Sequence, residues 1–268
     1  AEKLHTTSAT CSAALGRLLT GVSLMGAMLK DDGDSITLRV SGGGPAGVVI
    51  ACTDAHGNVK GCIDHPLVEL PAKENGHLDV GGAVGKDGVL TVIRDNKLQK
   101  EPTVGQVPLV SGEIAEDVAQ YFATSEQTPT VCGLGVLVNP DLTVNVAGGF
   151  LIEVLPFASD ACIDTIEKNL KTLPPVTTMM TQGMTTDQIA LRLLDGLEPN
   201  LLDEGEVHYQ CDCNRERTER VLKALGNQEL TQLIAEGEPV EVNCHFCGKK
   251  YTFTPEELQQ LRDEEPEE

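Results

Sequence analysis

The sequence predicts an α+β protein: a mixed β-sheet core with packed helices, a helical linker, and a small C-terminal module carrying paired cysteines. Three observations point there. Residues 1–175 open on a helical apolar period and then turn to short β-branched runs punctuated by Gly, Asn and Asp. Residues 176–207 gather three of the five methionines into short, glycine-broken pieces. Beyond them stand Cys211-X-Cys213 and Cys244-X-X-Cys247, with 30 residues between the pairs.

In order along the chain, "SATCSAALGRLLTGVSLMGAMLK" places Leu15, Leu18, Leu19, Val22, Met25, Met28 and Leu29 at helical spacing. That predicts one long core helix ending near Lys30, before the turn signal "DDGD". From "SITLRV" to about Leu155 the runs "AGVVIACTD", "HGNVKGCI", "GVLTVIRDN" and "TVGQVPLV" read as strands, and "GVLVNPDLTVNVAGGF" as a hairpin. One helix interrupts them, "GEIAEDVAQYFATSEQ", with Ile114, Val118, Tyr121 and Phe122 on one face. Another, "SDACIDTIEKNLKTL", stops against Pro174-Pro175. These make the predicted core domain, residues 1–175.

The linker, 176–207, contains Met179, Met180 and Met184 and a short amphipathic helix with Ile189, Leu193, Leu194 and Leu197 apolar and Thr186 at its N-cap. Helices this short are marginal alone, so the segment is expected to fold by docking on the core. The module at 208–253 has two brief helices closed by Gly226 and Gly237, leading into the strand–knuckle–strand "PVEVNCHFCGKKYTF". The acidic 254–268 reads as a frayed, solvated tail.

Composition narrows the function. A formal charge of −21 repels phosphate backbones and anionic lipid, which speaks against nucleic-acid and membrane partners. No apolar run approaches the roughly 20 residues a spanning helix needs, and no signal peptide opens the chain, so a reducing cytoplasm is expected. Nine cysteines are too odd a set for a fully paired secreted framework. Cys11, Cys52, Cys62, Cys132 and Cys162 stand singly among apolar or small residues and read as small buried hydrophobes.

The other four suit a tetrahedral zinc ion, because four thiolates satisfy it and leave no position open for a substrate. Gly248 after Cys247 fits the tight turn of a zinc knuckle, and Cys213 precedes a helix whose N-terminal amides favour thiolate. His208 and His245 lie beside the pairs as alternative ligands and read as bystanders. A closed site makes the zinc structural, the protein non-enzymatic, and the module's folding dependent on the metal. Bound thiolates are oxidisable, and oxidation expels the metal. Near-neighbour pairing would give Cys211–Cys213 and Cys244–Cys247, the first close to the geometric limit of a disulfide. Losing zinc should undock what the module is expected to hold, the methionine-bearing linker, whose adaptable side chains suit promiscuous binding.

One motif is a decoy. "GGGPAG" matches Gly-X-Gly-X-X-Gly at Gly42, Gly44 and Gly47, with Asp64 about twenty residues on. A dinucleotide site needs a helix next, whereas "VVIACTD" follows and Pro45 removes an amide, so a plain turn is expected.

Together "AALGRLLT", "SGGGPAG", "SGEIAEDVAQYFATSEQTPT", "AGGFLIEVLP", "CDCNRER" and "CHFCGKKYTF" resemble the redox-regulated holdase chaperones known as the thirty-three-kilodalton heat-shock proteins, in that family's order over nearly the whole chain. The resemblance implies a cytoplasmic, ATP-independent chaperone that prevents aggregation of unfolding clients under oxidative stress. It implies one zinc on Cys211, Cys213, Cys244 and Cys247 in the inactive reduced state. Activation would then come from two disulfides, zinc release and destabilisation of residues about 176–207. It further implies client binding by the exposed surface (candidates Met179, Met180, Met184, Ile189, Leu193, Leu194 and Leu197), homodimers on activation, and hand-over of clients to ATP-dependent chaperones. Two departures stand out. The family pattern has a further strand-bearing stretch before the first helix, so the chain reads as a truncated product, and Cys62 stands where an aromatic is usual. The competing readings are a thiol–disulfide oxidoreductase using Cys244-His245-Phe246-Cys247 and a structural zinc-ribbon interaction protein.

Overall fold

A computed structural model describes residues 1–97 and 99–263. They form two compact units, Ala1–Gln210 and a second beginning at Cys211.

The first unit runs α1 (Glu2–His5), α2 (Ala9–Gly26), β1 (Ser35–Ser41), β2 (Val48–Asp54), β3 (Val59–Ile63), α3 (Val80–Val84), β4 (Val89–Asp95), β5 (Thr103–Pro108), α4 (Ala115–Tyr121), β6 (Thr130–Val138), β7 (Val144–Glu153), α5 (Asp160–Thr172), α6 (Val176–Thr181) and α7 (Thr186–Leu193). The α+β class is as predicted. The isolated bridge of Val59 to Tyr209 is parallel, but the named strands of the sheet expected to be mixed pair antiparallel, in the order β3-β2-β1-β4-β5, with β6 and β7 forming a separate hairpin. The short links between β1, β2 and β3 explain this, because parallel neighbours need a crossover of a dozen or more residues.

Why α2 is apolar over so much of its circumference follows from its place. One side lies on the five-stranded sheet, burying Leu15, Leu18, Val22 and Met25 against Ile36, Leu38, Val49 and Ala51. Its other side meets the hairpin, where Gly16 faces Val136 and Gly21 faces Leu134. Ser8 caps its first turn, accepting from Cys11 N–H at 3.3 Å. It ends at Gly26, short of the predicted Lys30, and glycine is needed there because a Cβ would meet Thr53 Oγ1 at 2.5 Å and the Asp54 carbonyl at 2.7 Å.

The helix predicted from "GEIAEDVAQYFATSEQ" is α4 continued by a π-helical turn, Phe122–Glu126. Fully buried Asp117 holds its entrance, accepting from the N–H groups of Val110 (2.7 Å), Ser111 (3.1 Å) and Ile114 (2.9 Å). This fixes Ile114 at φ 76, a conformation that costs a β-branched residue energy and needs such anchoring.

The hairpin β6–β7 has two apolar faces. Cys132, Leu134, Val136 and Leu151 turn toward α2. Phe150 and Ile152 turn the other way and receive α6 and α7, with Val176, Met179, Ile189 and Leu193 buried between. Asn169 on α5 ties this arm down, its Nδ2 donating to the carbonyls of Leu193 (3.0 Å) and Asp195 (2.9 Å). The cap of α7 is Thr185, one residue before the predicted Thr186, and its N–H donates to Gln188 Oε1 at 3.1 Å. Farther on, the chain returns to the sheet edge: Val59 N–H donates to the His208 carbonyl and Gln210 N–H to the Val59 carbonyl, both at 2.8 Å.

The second unit contains α8 (Arg215–Lys223), α9 (Asn227–Glu236), β8 (Val240–Asn243), β9 (Lys250–Phe253) and α10 (Pro255–Asp263). Its small core is Leu222, Leu230, Tyr251, Phe253, Leu258 and Leu261. The last two correct the expectation of a solvated tail from 254. Leu258 and Leu261 lie three apart on α10 and are buried, so a helix forms despite the surrounding carboxylates. Residues 264–268 of that expected tail lie outside the described residues.

Candidate metal centre

Two loops bring the paired cysteines together. Cys211 and Cys213 lie just ahead of α8, which starts at Arg215 and is capped by Asn214, whose Oδ1 accepts from Arg217 N–H at 2.7 Å. Cys244 and Cys247 occupy the turn between β8 and β9. There the Cys244 carbonyl accepts from Gly248 N–H at 2.8 Å, and Cys244 N–H donates to the Lys249 carbonyl at 2.9 Å. Gly248 sits at φ 71 with open space around its α-carbon, so backbone conformation, not crowding, requires glycine there.

The four sulfurs lie within 4.8 Å of one another. Cys211 Sγ is 3.6 Å from Cys244 Sγ, and Cys213 Sγ is 3.4 Å from Cys247 Sγ. A tetrahedral thiolate site with metal–sulfur bonds of about 2.3 Å has sulfurs about 3.8 Å apart. The cluster brackets that spacing, and none of the four is in a disulfide. Among the described residues this is the one such group of His, Cys, Asp or Glu ligands; His208 and His245 are outside it.

Electrostatics favours a cation in the same place. Cys211 is pushed up to about 12, by burial first and then by hydrogen bonds among the four sulfurs. Burial and hydrogen bonds with Cys213 and Cys244 push Cys247 up too. Cys213 moves the other way: burial opposes its ionisation, but hydrogen bonds from Tyr251 and the neighbouring thiols bring it down to about 7. The Tyr251 hydroxyl, 3.2 Å from Cys213 Sγ, is held protonated as the donor. Cys213 ionises readily while Cys211 and Cys247 resist, so a cation among the sulfurs would favour the thiolates. Tyr251 is the participant that sequence reasoning missed; its alternation with buried Phe253 in "KYTF" was the available signal.

The remaining candidates fall elsewhere. Met179, Ile189 and Leu193 are buried on the side of the arm that meets the hairpin, and Met180, Met184 and Leu194 pack around them half-buried. Leu197 is half-buried, outside that cluster. Of the single cysteines, Cys11 is buried, its thiol donating to the His65 carbonyl at 3.4 Å, and burial pushes Cys132 up to about 12. Cys52, Cys62, Cys132 and Cys162 are half-buried, short of the full burial expected; Cys52 and Cys62 lie on the sheet face turned away from α2, and Cys162 lies in the first turn of α5. The glycine decoy is filled by its own backbone. Gly44 N–H donates to the Val84 carbonyl and Ala46 N–H to the Ala83 carbonyl, both at 2.9 Å, and a strand follows.

Fold and site define an α+β protein in two units, the second built round a closed four-thiol centre able to hold a metal ion. The model of the family described as Hsp33 protein matches residues 1–254. A protein of Alkaliphilus metalliredigens named 33 kDa chaperonin is 47% identical over 264 residues, 98% of this chain and 90% of that one. A namesake from Clostridioides difficile matches at the same identity and coverage. The crystal structure of the 33 kDa chaperonin (heat shock protein 33 homolog) of Thermotoga maritima has a TM-score of 0.88 at 39% identity, covering 97% of this chain and 88% of that one. The chain belongs to the Hsp33 family of heat-shock chaperones. Among the described residues, no helix is long and apolar enough to cross a membrane.

Proposed function

We propose that the protein is a redox-switched, ATP-independent holdase that works in the cytoplasm without catalysing a reaction on its clients. The observation that carries this is the pairing of a tetrahedrally spaced four-thiol cluster with an arm whose apolar side chains are buried in the reduced fold. When bound, zinc supplies a four-way cross-link between the loop before α8 and the β8–β9 turn.

Cys211, Cys213, Cys244 and Cys247 hold that ion as thiolates and are also the oxidisable groups. Each disulfide forms by removing two electrons from two thiolates; one peroxide takes them, its O–O bond breaks, and two hydroxides leave. Two peroxides therefore convert four thiolates to two disulfides and release one divalent ion. Although the shortest sulfur contacts run between the pairs, near-neighbour disulfides Cys211–Cys213 and Cys244–Cys247 are the expected products. Once the cross-link is gone the two loops separate, and only sequence neighbours keep a high effective concentration.

The second unit then unfolds, and in this switch the chain leading into it, paired with Val59 at the sheet edge through His208 and Gln210, comes away in turn. Release of residues 176–207 uncovers Met179, Met180, Met184, Ile189, Leu193, Leu194 and Leu197 on the arm and Phe150 and Ile152 on the hairpin. That surface holds unfolding clients, favours homodimers, and passes clients to ATP-dependent chaperones. The test follows zinc with a dye and client aggregation by light scattering after peroxide at mildly raised temperature. Zinc release and suppression should rise together and reverse on reduction with zinc restored. Zinc release without suppression would reduce the cluster to a structural staple.

A further inference from the structure

The hairpin beneath the arm contains two glycines that its own backbone does not need. Gly135 on β6 and Gly148 on β7 are directly opposed across the strand pair. Neither has a positive φ, so ordinary residues could adopt both conformations. Glycine in a strand interior weakens the strand and often marks a close backbone approach. Here the approaching element is α6. A Cβ on Gly135 would lie 2.7 Å from Thr177 Cγ2 and 2.9 Å from Val176 Cγ1, and one on Gly148 would meet Met180 Sδ and lie 3.0 Å from Met180 Cε. The two glycines form a notch, and α6 sits in it.

We infer that this notch is the latch of the arm, so that one methyl group at Gly135 releases residues 176–194 while the metal centre stays intact. The two sides of the notch differ. Met180 is flexible and can swing away from a new Cβ at Gly148. Val176, β-branched and held to essentially one χ1 well in a helix, cannot turn away, so a Cβ at Gly135 that meets both Val176 and Thr177 is relieved chiefly by lifting the helix. Docking therefore depends on a steric fit independent of the thiols, and the ease of activation is set at the hairpin as well as at the metal. This rests on the reading of the arm as the cover of the client surface.

The test is hydrogen exchange on reduced, zinc-loaded Gly135→Ala, with zinc content measured on the same sample. Amides of 176–194 should exchange about tenfold or more faster than in the parent, while β6–β7 amides and zinc content stay unchanged. Gly148→Ala should have a smaller effect. Thr177→Ser, which removes the nearer of the two clashing methyls and leaves Val176 Cγ1, should restore part of the lost protection to Gly135→Ala. Unchanged exchange over 176–194 would overturn the inference. So would loss of strand protection that Thr177→Ser does not restore, since Gly135 would then serve the sheet and not the arm. Suppression of client aggregation without oxidant is the separate readout of the functional reading. If the arm is released and suppression stays absent, the latch stands and the client-surface reading fails.

Discussion

Stripping the metal from the reduced protein, by chelation or by Cys247→Ser, should unfold the second unit and leave the first folded. The magnitude follows from the cores. Among the described residues the second unit buries six apolar side chains: Leu222, Leu230, Tyr251, Phe253, Leu258 and Leu261. A module below about 70 residues with one such core seldom has more than about 3–5 kcal/mol of net stability. A structural zinc site contributes on the order of 10–16 kcal/mol at neutral pH, so removing it exceeds what the core alone holds. In the first unit, α2 is enclosed between the five-stranded sheet and the hairpin with no cysteine of the cluster involved. Hydrogen exchange read peptide by peptide is the assay. Amides of α8, α9 and α10 should lose protection to the level of a disordered chain, while those of β1, β2 and β4 keep theirs. Continued protection of α8 and α10 in the metal-free protein would refute the reasoning, because the core would then suffice without the cross-link.

Three further perturbations separate the arm, the ion cluster and the α4 entrance. Leu193 is 3% exposed, so Leu193→Ala should cost about 2–5 kcal/mol of docking and raise arm opening at least about 30-fold, read by proteolysis within 176–194 with zinc content unchanged. Burial opposes ionisation of Glu113, but hydrogen bonds from Lys73, the Gly81 N–H and Arg17 outweigh it and hold the carboxyl below its ordinary 4.5. A lowered pKa in the folded state stabilises the fold above the unfolded value and ceases to do so as pH falls through the folded one. The stability gap between the parent and Glu113→Gln, about 1–3 kcal/mol by denaturant titration, should thus be full at pH 7 and close as pH falls below 4.5. Asp117→Asn puts an amide where only acceptors fit, and should lower thermal stability by about 2 kcal/mol or more while zinc binding is unaffected.

How far the sequence was legible depended on whether a signal was local. The helical period of α2, the β-branched strands and the spacing of the cysteines are local, and they pointed to an α+β fold with a four-thiol cluster. The antiparallel order of the sheet was not, since strand pairing is set by distant partners and by which turns are tight. The helix α10 was hidden because its carboxylates outweigh two leucines in composition, while Leu258 and Leu261 find a core only through β9 and α9. The notch at Gly135 and Gly148 was equally hidden, because "GLGVLV" and "VAGGF" reveal glycines without saying what approaches them. Tyr251 looked like one more strand residue, and its hydrogen bond to Cys213 exists only after β9 turns back beside the first cysteine pair.

The most direct test of the switch is a peroxide titration of the zinc-loaded protein, with hydrogen exchange over 176–194, disulfide mapping and suppression of client aggregation read from the same samples. The account predicts that Cys211–Cys213 and Cys244–Cys247 accumulate, that the arm loses protection in proportion, and that suppression tracks the fraction of arm released. Suppression that rises while 176–194 stays as protected as in the reduced protein would contradict it.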